Sequence, residues 1–279
     1  MKCHLIQHGN DGFGHQLHGL FSTMILHNIR NYFFDGQMYC KKKNFFRLHV
    51  TQQEADVLQQ YLTEAVKCFC VDQKQYIPIQ YKNYIHSHEI YKVPTDYKED
   101  CLYSIDNAYY FDRIGLNAEE EKLHTKNIEK IRTYFTENNY LPKNRLKENN
   151  IVFHIRAQGK DDYDDWLGYY KEGFDEYKKK INKLMQKLKE KYPDYQIYIH
   201  SNGNVDFLKN HDFIFYGKET PLLQMLSDFI HANIFVCGCS AFSKICTFLG
   251  KHDLIIIPDN NKHSLPKKSI SITDFLTEK

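Results

Sequence analysis

The chain has 279 residues, enough for two domains of ordinary size and too few for three. Hydrophobic residues make up 42% and charged residues 26%, so the chain can bury a core and is not disordered by composition. Lys plus Arg total 37 against 35 Asp plus Glu, a net charge of +2, which excludes a strongly basic nucleic-acid wrapper.

The first half opens with a strand, Cys3 to Gln7, followed by a Gly-rich turn from His8 to His15. Gln16 to Tyr32 carries Leu17, Leu20, Phe21, Met24, Ile25 and Ile29 at helical spacing. Thr51 to Val66 reads as a helix. Gln75 to Tyr97 is Tyr-rich and reads as irregular chain with short strands, and Leu116 to Asn150 as a helix plus a linker. Leu141-Pro-Lys-Asn144 is the strongest boundary signal. The expected division is residues 1–145, an N-terminal Rossmann-like domain, and 146–279, a C-terminal one.

The second half alternates more legibly. Strands are expected at Ile151 to Ile155, Tyr195 to Ile199, Phe213 to Tyr216, Ile234 to Cys237 and Leu254 to Ile257. Between them lie a lysine-rich helix from Tyr169 to Lys191, a helix opened by Thr220-Pro221 and running to Ala232, and a helix from Ser240 to Leu249. This alternation predicts an α/β protein with a parallel, Rossmann-like sheet covered on both faces. The segment after Pro258 is expected to pack back onto the first domain.

The N-terminus, Met1-Lys-Cys-His-Leu-Ile-Gln-His8, has no apolar run of signal-peptide length, and no segment approaches the about 18 apolar residues of a membrane span. The eight Cys lack the Cys-x2-Cys zinc spacing, and Cys68/Cys70 and Cys237/Cys239 sit in apolar company as reduced thiols. There is no Asn-x-Ser/Thr sequon. The expectation is a cytoplasmic protein with no membrane span and no nucleic-acid partner.

Four segments lie at the ends of expected strands, where open parallel sheets bind ligands. Gly9-Asn-Asp-Gly-Phe-Gly-His-Gln-Leu-His18 offers a tight turn and a helix N-terminus that favours an anion. By itself it reads more readily as a plain strand–turn–helix junction, with His15 and His18 as surface or capping residues. His154-Ile-Arg156 ends a strand with a guanidinium suited to a diphosphate, or to pairing with Asp161, Asp162, Asp164 or Asp165. His200-Ser201-Asn202-Gly203 is a polar turn whose default role is a cap. Cys237-Gly-Cys-Ser240-Ala-Phe242-Ser243 brings hydroxyls and amides together at a helix start, as a phosphate site or as an ordinary N-cap.

Three of these motifs carry a resemblance. Gly-Phe-Gly-His-Gln-Leu-His, His-Ile-Arg and Ser-Ala-Phe-Ser occur in the order found in the α1,2-/α1,6-/protein-O-fucosyltransferase superfamily of GT-B glycosyltransferases. The resemblance implies two Rossmann-like domains facing across a cleft, GDP-fucose held mainly by the C-terminal domain, and inverting, metal-independent transfer to a glycan hydroxyl. The nucleotide sugar is then a co-substrate, with no further cofactor. It implies His154 near the nucleotide, Arg156 on the β-phosphate and Ser240, Phe242 and Ser243 around the diphosphate. Gly12, Gly14, His15, Gln16 and His18 then line the opposite side, with Ser201 and Asp228 as further binding positions. The family's second Arg is Ala157 here, and its acidic positions are displaced. Asp161 or Asp162 is the expected base.

Other readings stay open. The donor could be another nucleotide sugar on the same fold. Ala157 and the displaced acids would suit a sugar-nucleotide or glycan-binding domain with weak turnover. Asp162-Tyr-Asp164 is the Asp-x-Asp of metal-dependent GT-A enzymes, though such a pair arises trivially among four aspartates. An oxidoreductase lacks its full glycine fingerprint and ribose acid.

Overall fold

The computed structural model describes four strands of the first 116 residues, then residues 117–137, 141–156, 173–201, 203–259 and 269–278. The chain divides into two compact units, Met1–Tyr140 and Leu141–Lys279. Among the described residues, no helix is long and apolar enough to cross a membrane.

In the first unit, β1 (Cys3–Gln7), β2 (Tyr32–Phe34), β3 (Asn83–Ser87) and β4 (Cys101–Ile105) form one parallel sheet. Its order is β2-β1-β4-β3. Strand β1 matches its sequence expectation, whereas Tyr32 starts a strand instead of ending a helix, and β4 has no counterpart among the expected elements. Helix α1 (Ala118–Glu137) follows. Asn117 accepts the Glu119 amide at 3.0 Å, and the acids of the first turn suit the positive end of the helix dipole.

The second unit contains β5 (Asn150–Ile155), α2 (Phe174–Lys191), β6 (Gln196–Ser201), β7 (Ile214–Tyr216), α3 (Leu222–Ile230), β8 (Ile234–Val236), α4 (Ala241–Leu249), β9 (Leu254–Ile257), β10 (Ser269–Ser271) and α5 (Ile272–Thr277). All six strands pair in parallel, in the order β10-β9-β8-β5-β6-β7. Taken from the β7 edge, this is third, second, first, fourth, fifth, sixth: the doubly wound order of nucleotide-binding sheets. The protein is thus α/β with a six-stranded parallel sheet.

Period-two burial sorts the sheet's faces. Ile151, Phe153 and Ile155 of β5, Ile197 and Ile199 of β6, and Val236 of β8 join one core with Tyr177, Ile181, Leu184, Met185 and Leu188 of α2. Those α2 residues recur at four- and three-residue intervals, so one stripe meets the sheet while the lysines face outward. Gly173 starts α2 at φ 81°, a backbone state that disfavours any side chain. The opposite face lies under α3 and α4, where Phe229 packs on Phe235 and Phe242 with ring centroids 5.1 and 5.6 Å apart.

Two expectations change. Pro221, not Thr220, occupies the N-cap position of α3, so the helix begins at Leu222 and closes at Ile230. Proline's fixed φ suits either position, and its missing amide is no loss there. The C-terminal segment, expected on the first domain, has its described residues in the second unit. It adds β10 to the edge of the second sheet, and Ile272 and Phe275 of α5 complete the core beside α2.

Asp259, just past β9, clips this tail in place. It accepts the Thr273 amide and hydroxyl, each at 2.9 Å, and Lys180 of α2 at 3.0 Å. Burial alone would raise its pKa, but these donors outweigh it and hold the carboxyl below its ordinary value. A depressed folded pKa contributes stability above the unfolded value, and that stability is lost as pH falls through the folded one. Asp259→Asn should therefore lower the melting temperature at pH 7 by several degrees, and the gap from wild type should shrink on acidification. An unchanged gap at pH 7 and below pH 4 would show that the clip contributes nothing.

Candidate functional site

The doubly wound order places the switch point between β5 and β8. There the chain leaves the two strands toward opposite faces, to α2 from β5 and to α4 from β8, and open parallel sheets bind ligands beyond the carboxyl ends of such strands. Arg156 follows β5 directly, and Cys237 and Gly238 follow β8. Ser240 then caps α4.

The approach between the two strand ends is close. A Cβ on Gly238 would lie 2.6 Å from the His154 carbonyl oxygen and 3.0 Å from its Nδ1, so only glycine lets the β8 turn pass. His154 packs its ring against Phe229 at 5.1 Å. Burial, then neighbouring His200 and Arg156, pushes its pKa down to about 3, so the imidazole is neutral. Its Nδ1 is buried and has no hydrogen-bond partner. An unpaired buried group of this kind costs about 1–3 kcal/mol and calls for an explanation.

His154, His200 and Tyr216 stand in register across β5, β6 and β7. His200 meets Phe229 edge-on at 5.1 Å and tilts against Tyr216 at 5.0 Å. Its Nε2 lies 3.1 Å from Asp228 Oδ2, off the line of a good hydrogen bond. Burial lowers its pKa against the pull of Asp228, with Arg145 adding to the lowering.

Asp228, on α3, is 0% exposed. Its Oδ2 accepts Arg145 Nη2 at 2.6 Å and Nε at 3.0 Å, and its Oδ1 accepts Gln224 at 2.9 Å. Burial would raise this carboxyl's pKa, but the close approach of His200 and the bonds from Arg145 and Gln224 hold it below the ordinary carboxylate range. Arg145, one-third exposed, also stacks over the Tyr216 ring, 3.6 Å from its centroid. Asp228, a substrate-binding candidate from sequence, bonds Arg145 and Gln224 in the structure.

The Ser turn is also engaged internally. Ser240 Oγ accepts the Ser243 amide at 3.3 Å, the N-cap reading of that segment. Ser243 is fully buried and donates its hydroxyl to the Gly238 carbonyl at 2.9 Å. Both hydroxyls thus shape the turn. Cys237 and Cys246 lie beneath; burial pushes the Cys237 thiol up to about 12 and Cys246 well above its ordinary value, so both are inert. At the end of β6, Ser201 is buried and accepts the Gly203 amide at 3.2 Å.

The structure therefore brings His154, Arg156, Ser201, Asp228, Ser240, Phe242 and Ser243 together at one edge of one sheet. Gly12, Gly14, His15, Gln16, His18, Asp161 and Asp162 lie outside the described residues. Arg145 and Tyr216 were not singled out from sequence, and His200 and Gly238 lay inside quoted motifs with no role of their own. Of these, His200 carried a signal: like His154, it follows an aliphatic–aromatic run near a strand's end.

Gly238→Ala should lower stability by about 1–3 kcal/mol, because backbone atoms of β5 stand where the new methyl must go. Chemical denaturation measures this; an unchanged midpoint would mean that the β8 turn is free to shift. Asp228→Asn leaves Arg145 without its counter-charge. With Arg145 partly solvated, the cost should be about 2–3 kcal/mol by the same measurement.

No family model matches the chain, and no curated protein matches it. Among solved structures, the chain is similar to the apo form of POFUT1, with a TM-score of 0.46 and 11% identity over 97% of each chain. It is also similar to POFUT1 in complex with GDP-fucose, with a TM-score of 0.41 and 11% identity over 97% of this chain and 96% of that one.

Proposed function

We propose that the chain is a glycosyltransferase of GT-B type that moves fucose from GDP-fucose onto a glycan hydroxyl, with inversion and without a metal. The observation that carries this reading is the position of Arg156, one residue past the end of β5 at the switch point of a doubly wound sheet. A guanidinium there offers two parallel donors to a diphosphate, and the adjoining start of α4 adds main-chain amides. The order of the Gly-x-Gly, His-x-Arg and Ser-x-Phe-Ser motifs supports the same donor class.

In this reading the acceptor oxygen attacks the anomeric carbon as the bond from that carbon to the phosphate oxygen breaks. The transition state resembles an oxocarbenium ion, and GDP departs with the bonding electrons. Arg156 stabilises the charge that develops on the leaving diphosphate, as a fixed donor does in a water-poor site. Neutral His154 adds no charge and orients the nucleotide by hydrogen bonding. The acceptor proton passes to Asp161 or Asp162. Gly12, Gly14, His15, Gln16 and His18 belong to the proposal on sequence grounds.

Thermal shift with GDP, UDP, ADP and CMP tests the donor, since a ligand that binds only the folded state raises its melting temperature. GDP should give the largest rise. Arg156→Ala should weaken GDP binding on the order of a hundredfold, and Arg156→Lys should not restore it. Equal GDP affinity in Arg156→Ala would remove Arg156 from the site. Transfer should persist in excess EDTA; loss of transfer, restored by Mn, would favour the Asp162/Asp164 metal reading. Asp161→Asn and Asp162→Asn, together, should depress turnover and spare GDP binding. Wild-type turnover in the double variant would exclude both as the base. Donor binding without any turnover in the wild type would identify a binding module.

A further inference from the structure

His252 lies in the turn between α4 and β9 and is buried, with 2% exposure. Both of its ring nitrogens face backbone carbonyls: Nδ1 is 2.7 Å from the Ala232 oxygen, and Nε2 is 3.0 Å from the Cys246 oxygen. A carbonyl oxygen only accepts, so each nitrogen must donate, and a neutral imidazole has a single N–H. With one proton missing, a ring lone pair would point at a carbonyl lone pair. The surroundings suit a cation. Cys246 is in the last turn of α4, at the negative end of its dipole, and Ala232 follows the end of α3 by two residues. The Phe235 ring stacks on the imidazole at 5.2 Å and an interplanar angle of 22°, within range of a cation–π contact. Gly250, which caps α4, leaves the ring its space: a Cβ there would strike the imidazole and lie 2.7 Å from the Ile230 carbonyl oxygen. The titratable neighbours on the joined helices are His231, whose Nδ1 is turned back to the Ser227 carbonyl at 2.8 Å, and the Cys246 thiol, kept neutral by burial. In the turn itself, Lys251 and Asp253 are exposed and opposite in sign.

We infer that His252 carries protons on both ring nitrogens at neutral pH and acts as a pH-sensitive clamp, an imidazolium that ties the end of α3 to the end of α4. Burying a charge is costly; here two charge-assisted bonds, a helix end and an aromatic face offset that cost. Both helices cover the same face of the sheet, so the clamp sets their spacing beside the amino ends of β8 and β9. It stands independently of the donor reading. An unfolded His binds its second proton only below about pH 6.5. Below that value both states hold the proton, and the clamp's contribution is full and constant. Above it, the folded chain holds one proton more than the unfolded one, so stability falls as pH rises, until the folded ring gives up its own. Deprotonation then removes one of the two bonds and loosens the joint.

The test combines long-range 1H–15N NMR of the His252 ring in the full chain with chemical denaturation of wild type, His252→Phe and His252→Gln from pH 6 to 9. His252→Phe keeps a stacking ring and removes both donors, and His252→Gln serves should the Phe variant fold poorly. At pH 7.5 both ring nitrogens should carry protons. The folding constant of wild type relative to each variant should fall by up to about tenfold per pH unit above about pH 7. A neutral ring at pH 7.5 overturns the inference. So does a ratio that stays constant or rises from pH 6 to 9, because a neutral buried imidazole that only fills space gives no such fall. Should neither variant fold, the ring spectrum of the wild type decides alone.

Discussion

The arrangement of the second unit depends on one buried carboxylate. Asp228 sits on α3 with no exposure, and it is tolerated because Arg145, Gln224 and His200 surround it. Each partner comes from a different place: Arg145 from the segment that opens the unit, Gln224 from one turn earlier on α3, His200 from β6. A single charge thus joins three parts of the chain. Ser227, the preceding residue, adds a bond from its hydroxyl to the Pro142 carbonyl at 2.9 Å. Buried ion pairs are poor sources of net stability, since desolvation offsets the attraction. Their directional bonds do fix orientation, and here they set α3 over the histidine row of β5 and β6.

That setting matters for what lies above it. Phe229 follows Asp228 on α3 and touches His154, His200, Phe235 and Phe242. The aromatic cluster excludes water from the inner side of the switch point, which keeps His154 neutral. Arg156 follows directly at the end of β5. Gly238 brings the β8 turn against this strand end, because a side chain there would strike the His154 backbone and ring.

Much of this edge was legible in sequence. The strands of the second unit are short β-rich runs separated by helices, and the 3.6-residue stripe of α2 is unambiguous. His154, Arg156, Ser240 and Ser243 stood out because they are polar residues closing apolar runs. What escaped were partnerships. Arg145 lies in a polar linker 83 residues from Asp228, and nothing local distinguishes it from the lysines around it. Ser240 and Ser243 looked open to a ligand, but whether a hydroxyl faces outward or bonds a nearby carbonyl depends on how the turn closes. In the first unit, Tyr32–Phe34 and Cys101–Ile105 are too short for period-two alternation to separate a strand from a helix tail. The tail's return to the second sheet was missed because three-residue β10 carries no pattern of its own, and α5 shows only two core residues.

The centre of the second sheet is completed only when β8 arrives. Strand β5 is flanked by β6, reached through one helix, and by β8, reached only after β6, β7 and α3 have been laid down. At that joint Asn150 and Asn233 exchange bonds, each side-chain oxygen accepting the other's amide at 3.1 and 3.0 Å across 83 residues. Closing so long a loop costs entropy before any contact returns it, and parallel pairings of this span form slowly. During synthesis, an emerging chain that has reached β7 has a complete β5–β6–β7 ribbon with one raw edge, apolar on one side and lined by histidines on the other. Until Asn233 arrives, that edge is open to pairing with another copy. The β5 edge is therefore where a nascent chain is most exposed to misassembly, and the paired asparagines, at the amino ends of β5 and β8, are the latch that closes it.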